Sequence, residues 1–89
     1  MDRNGRLIPN EGRVLDLGCG FGLFTLYDAM THPHTQFTGI DLSGERIRLA
    51  GRSAEKMGHS SVQFIEGDAR SVVSDLTERL NLVFSITHS

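Results

Sequence analysis

The stretch Val14-Leu15-Asp16-Leu17-Gly18-Cys19-Gly20-Phe21-Gly22 constrains this chain most. An apolar run with a single acid suits a strand covered on both faces. Glycine at every second position straight after it suits a backbone that turns sharply and lies close to a ligand. Leu23 to Met30 is apolar enough to supply a helix. Strand, glycine turn and helix therefore follow in the order found where nucleotide-like ligands dock on a parallel sheet.

The spacing is not the dinucleotide fingerprint Gly-x-Gly-x-x-Gly, whose last glycine would fall at position 23, where the chain has Leu23. That disfavours a nicotinamide-dependent oxidoreductase. With 89 residues the chain holds one domain at most, with a modest core. A net charge of -2 provides no basic field for a nucleic-acid backbone. Cys19 is the only cysteine, which excludes an internal disulfide and points to the cytoplasm. No apolar run approaches the roughly 20 residues of a spanning helix, so a soluble protein is expected.

Residues 1 to 12 read as a polar entry segment, and residues 13 to 89 as the domain. The first strand is expected over Arg13 to Leu17, and its helix ends near Thr31 because Pro33 cannot continue it. His32-Pro33-His34 reads as a solvated loop, and no metal site is assigned. Gln36 to Ile40 is a second strand. Ser43 caps the next helix, in which Ile47, Ala50, Ala54 and Met57 form one apolar stripe, with Met57 as core filler and the arginines on a solvated face. Gly58 ends it. Ser61 to Ile65 alternates like a third strand, Arg70 to Leu80 carries a helical stripe of Val72, Val73, Leu76 and Leu80, and Asn81 to Ile86 is a fourth strand. Strands alternating with helices imply right-handed crossovers and a mainly parallel sheet in an α/β sandwich.

In such a sheet ligands sit beyond the carboxyl ends of the strands, which selects Gly18-Cys19-Gly20, Asp41, Asp68 and Ser85. Asp41 lies about 20 residues past the glycine turn, where a carboxylate can accept hydrogen bonds from both hydroxyls of a ribose. It can equally serve as the acid at the start of the next helix. The ligand expected on these grounds is of adenosine type.

Asp16 two residues ahead of Gly18, Gly20 and Gly22, together with Gly67-Asp68-Ala69 after the third strand, resembles the pattern of class I S-adenosylmethionine-dependent methyltransferases. The resemblance covers Arg13 to about Ser85. It implies S-adenosyl-L-methionine as cofactor, with Asp41 on the ribose, Leu42 against the adenine face, and Asp68 and the Ala69 amide at the adenine edge. Asp16 and the Gly18 carbonyl would hold the ligand's ammonium. A cation suits this loop better than a pyrophosphate, since no basic residue lies between Gly18 and Asp41. The family also implies a three-layer Rossmann-like sandwich with strand order 3-2-1-4, and in-line methyl transfer from a sulfonium.

The family's sheet usually has seven strands, and this chain stops after what would be the fourth. Ile86-Thr87-His88-Ser89 does not match the Asn/Asp-Pro-Pro-aromatic segment of members that methylate amino groups, so no methyl acceptor and no catalytic residue are assigned. His88 reads as a solvated terminal histidine rather than a base, and Cys19 as a small residue chosen for close packing rather than a nucleophile. An alternative is a non-catalytic adenosine-ligand module or a subunit of a larger assembly. The apolar Leu82 to Ile86 would form an unprotected sheet edge, so a longer protein, self-association or pairing with a partner is expected.

Overall fold

The computed structural model describes residues 12–59, 61–79 and 85–88. Strand β1 (Gly12–Leu17) is followed by helix α1 (Leu23–Thr31), β2 (Thr35–Asp41), α2 (Gly44–Met57), β3 (Val62–Glu66), α3 (Ala69–Ser74) with a π-helical turn (Asp75–Arg79), and β4 (Ser85–His88). All pairings are parallel, and the strands lie in the order β3-β2-β1-β4. Two successive right-handed crossovers place α1 and α2 on one face. The chain then reverses its direction across the sheet, which places α3 on the other.

The local signals explain these elements. Val14 and Leu15 are fully buried in β1, and Phe37 and Ile40 are buried in β2. α1 opens at Gly22 and stops at His32, before Pro33. α2 is capped by the Ser43 side chain, which accepts from the Arg46 amide, and closed by Gly58 in the left-handed region. Val14, Ala29 and Phe37 form a cluster under α1, with Val62 packed against it.

Several expectations need adjusting. β1 begins at Gly12, which moves the start of the sheet into the supposed entry segment; residues 1–11 lie outside the described residues. β2 takes in Thr35 and Asp41, and β3 runs one residue later than expected, to Glu66. Met57 is half exposed, because it sits on the last turn of α2 facing an open groove rather than the sheet. α3 buries no residue fully, and its regular part ends at Ser74 instead of continuing to Leu80. Its last turn widens where the Thr77 hydroxyl donates back to the Val73 and Ser74 carbonyls. The fourth strand continues to His88, two residues past the expected end at Ile86, and the expected start at Asn81 falls in residues 80–84, which lie outside the described residues.

Candidate functional site

The glycine turn is docked on the end of β2. Gly18 and Cys19 both donate their amides to the Ile40 carbonyl, at 2.8 and 3.1 Å, and the Gly20 amide donates to Asp41 Oδ2 at 2.9 Å. The Gly22 amide donates to the Cys19 carbonyl. Donors that could have cradled a phosphate are thus spent in holding the loop to the sheet and to the Asp41 carboxylate.

All three loop glycines have positive φ. At Gly18 and Gly20 a Cβ would meet nothing within 4 Å, so conformation alone demands glycine there and the backbone faces open space. Gly22 is crowded as well. A Cβ there would come within 2.7 Å of the Phe64 ring and 2.9 Å of Ala50, which holds the start of α1 hard against α2 and β3.

Asp41 is the hub of the site. Its Oδ1 accepts from the Ser43 amide at 2.9 Å, and its Oδ2 accepts from Gly20. The Ser43 bond is the largest cause that holds the carboxyl below the ordinary range; partial burial opposes it, and the Gly20 bond and the Arg46 guanidinium add to the lowering. A carboxylate can accept about four hydrogen bonds, so each oxygen keeps capacity for one more donor, the number a vicinal diol supplies. The Asp41 carbonyl also accepts from the Gly67 amide, which ties the loop after β3 to the same point.

Around this hub lies a cleft of about 640 Å³ lined by Gly18, Ile40, Asp41, Leu42, Ser43 and Arg46 on one side and by Gly67, Asp68, Ala69 and Arg70 on the other. Leu42 is 74% exposed on its lip, an apolar surface beside polar groups. Asp68 caps α3 through Oδ1, which accepts from the Arg70 and Ser71 amides, while lining the cleft. Of the ten positions singled out from sequence, five line this cleft: Gly18, Asp41, Leu42, Asp68 and Ala69.

The other five stand behind or beside it. Asp16 is 1% exposed beneath the loop, where its Oδ2 accepts from the Thr25 hydroxyl at 2.5 Å. Gly20 and Gly22 shape the loop. Cys19 is buried, and burial first, then the Asp16 and Asp41 charges, push its thiol up to about 12. It stays protonated at neutral pH and cannot act as a nucleophile there. Ser85 is described through its backbone, which pairs with Val14; its side chain and that of His88 lie outside the described residues.

Sequence reasoning missed four residues that build the site. Thr25 anchors Asp16 from the first turn of α1, a partner that no local pattern identifies. Phe64 fills the space left by Gly22 and Gly39, since a Cβ at Gly39 would lie 2.7 Å from its ring. Glu66 packs on Gly44, and Arg46, read as solvated, stands over the Phe21 ring at 5.7 Å. The glycine at position 39, inside a strand, was the available signal of close approach.

A parallel sheet ordered 3-2-1-4, a glycine loop on its first strand and an acid at the end of its second define a Rossmann-like nucleoside-binding fold. A methyltransferase-domain family profile matches residues 14–89, and the chain belongs to that family. It is 34% identical over 82 residues to a probable (S)-tetrahydroprotoberberine N-methyltransferase 2 of Papaver bracteatum, an alignment that covers 91% of this chain and 23% of the relative. PKMT2 of Rickettsia typhi, solved in complex with AdoHcy, superposes with a TM-score of 0.64 at 31% identity over 70% of this chain and 12% of that one. A SAM-dependent methyltransferase of Thiobacillus denitrificans, solved with S-adenosyl-L-homocysteine, gives 0.59 at 45% identity, covering 66% and 24% of the two chains. The chain therefore spans about a quarter or less of the length of these proteins.

Proposed function

We propose that the cleft binds S-adenosyl-L-methionine and that the chain is the cofactor-binding portion of a methyltransferase. The observation that carries this is Asp41, an ionised carboxylate with one backbone donor on each oxygen and room for a diol, next to the exposed Leu42. Two relatives with the same fold hold S-adenosylhomocysteine, which supports the choice of nucleoside. When bound, the cofactor supplies a sulfonium methyl that transfers in line to a nucleophile of the acceptor.

This chain's residues bind and orient. Asp41 takes the ribose hydroxyls, Leu42 covers one face of the adenine, and Asp68 and the Ala69 amide lie at the far side of the cleft for its polar edge. Asp16, locked to Thr25, keeps a negative charge under the loop, which favours a cation above it and disfavours a pyrophosphate. Holding the cofactor in one pose supplies the entropic part of the acceleration; the methyl acceptor and any base are left to residues outside this site.

The decisive experiment is calorimetry with S-adenosylhomocysteine. Asp41→Ala is expected to weaken binding by about 30- to 150-fold, the loss of a charge-assisted pair of hydrogen bonds worth roughly 2–3 kcal/mol. Unchanged affinity in a variant that melts like the wild type overturns the ribose assignment. Binding without transfer of label from methyl-labelled S-adenosylmethionine to any of a panel of acceptors would favour the non-catalytic alternative.

We further propose a cytoplasmic location, on the single cysteine, which can form no internal disulfide; among the described residues no helix is long and apolar enough to cross a membrane. The outer edge of β4, unpaired among the described residues, is proposed to take another strand, from a partner, a second copy or the remainder of a longer protein. Ile86 is half exposed there, beside an apolar groove of about 380 Å³ lined by Leu17, Val73 and Ala69 among others. Light scattering after size exclusion should show self-association, and a cooperative monomer would overturn this.

A further inference from the structure

Backbone amides hold the glycine loop to the end of β2, and a side-chain contact ties it to the start of α2 as well. Arg46, in the first turn of α2, lines the cleft and stands 5.7 Å from the centroid of the Phe21 ring. Gly20 and Phe21 are neighbours in the loop, and Asp41 and Arg46 are neighbours across the β2–α2 junction. Each loop residue is thus matched to one partner: the Gly20 amide to the Asp41 carboxylate, the Phe21 ring to the Arg46 guanidinium. The ring is half exposed, so the guanidinium roofs an apolar surface that water would otherwise cover.

The helix end fixes Arg46 from below. Its amide donates to the Ser43 side chain at 3.3 Å, and the Ser43 amide donates to Asp41 Oδ1. Arg46, Ser43, Asp41, Gly20 and Phe21 therefore close a ring of contacts around the point where the ribose is assigned. The Arg46 charge also lies close enough to Asp41 to favour its ionised form.

We infer that Arg46 and Phe21 form a clasp that seats the glycine loop on Asp41, which makes Arg46 a positioning residue for recognition of the ribose diol. This rests on the nucleoside reading of the cleft. Loss of the clasp loosens the loop at Gly20 and Phe21 while the Gly18 and Cys19 amides stay on the Ile40 carbonyl; the Gly20 amide leaves Asp41 Oδ2, and the carboxylate is no longer aimed at both hydroxyls. A ligand without the hydroxyls is indifferent to that aim.

The test is calorimetry on the full chain with two probes, S-adenosylhomocysteine and its 2′,3′-dideoxy counterpart. Arg46→Met, which keeps an apolar stem, should weaken S-adenosylhomocysteine by about three- to fivefold, the range of a solvent-exposed cation–π contact, and leave the dideoxy probe within about twofold. Phe21→Leu should do the same, and the double variant should be no weaker than the weaker single one. Arg46→Lys, which keeps the cation, should recover most of the loss. Equal losses for both probes, multiplying losses in the double variant, or an Arg46→Met chain that binds like the wild type would each overturn the clasp. A wild-type chain that binds neither probe would instead overturn the nucleoside reading beneath it. If Arg46→Met does not fold, the Phe21→Leu and Arg46→Lys arms still decide.

Discussion

The two halves of this chain are built differently. Every fully buried apolar side chain among the described residues lies between Val14 and Ala54, in β1, the glycine loop, α1, β2 and α2. From Val62 to Glu78, β3, α3 and the π turn carry only half-buried or exposed residues among those described. The first half has its strands flanked on one face by two helices and holds the Asp41 hub. The second half offers Asp68, Ala69 and Arg70 to the cleft from a helix of only six regular residues. The site is therefore rigid on the Asp41 side, proposed to take the ribose, and lightly supported on the Asp68 side, proposed to take the adenine. Local opening is expected to begin in the latter, where few apolar contacts resist it.

Substitutions can sharpen or break that contrast. The largest difference should come from paired truncations followed by thermal or chemical unfolding. Phe37→Ala removes a buried ring from the cluster of Val14 and Ala29, and should cost about 3–5 kcal/mol. Val73→Ala, half-buried on α3, should cost less than about 1 kcal/mol. Comparable losses at the two positions would mean that α3 shares the main core and that the asymmetry is wrong.

A smaller effect tests how the halves are joined. Gly39→Ala in β2 puts a methyl group 2.7 Å from the Phe64 ring of β3 and 2.9 Å from Cys19 Sγ, and should destabilise by about 1–3 kcal/mol through overpacking. Adding Phe64→Leu should return part of that loss, because the ring is what the methyl meets. A Gly39→Ala chain as stable as the wild type would mean that the seam between β2 and β3 can open without cost.

Much of this was legible in the chain itself. Pro33, Ser43 and Gly58 are local signals with local mechanisms, and they placed the ends of α1 and α2 to within a residue. Alternate glycines after an apolar strand located the loop, and an acid at the next strand's end located Asp41, because the parallel βα arrangement forces both to one edge of the sheet. The end of α3 was less legible. Val72, Val73 and Leu76 have helical spacing, but spacing does not report that too little surface covers them for a long regular helix.

What sequence alone determined, then, was the order of elements, the glycine conformations and the edge of the sheet where the chemistry gathers. These depend on backbone sterics and on periodicity, which act over a few residues. Only the tertiary structure decided that Asp16 is buried against Thr25, that Phe64 occupies the space over Gly22 and Gly39, and that Arg46 covers Phe21. Each of these joins residues from different elements, 9 to 42 positions apart, and such pairs are selected by shape and charge in the packed chain rather than by any pattern along it.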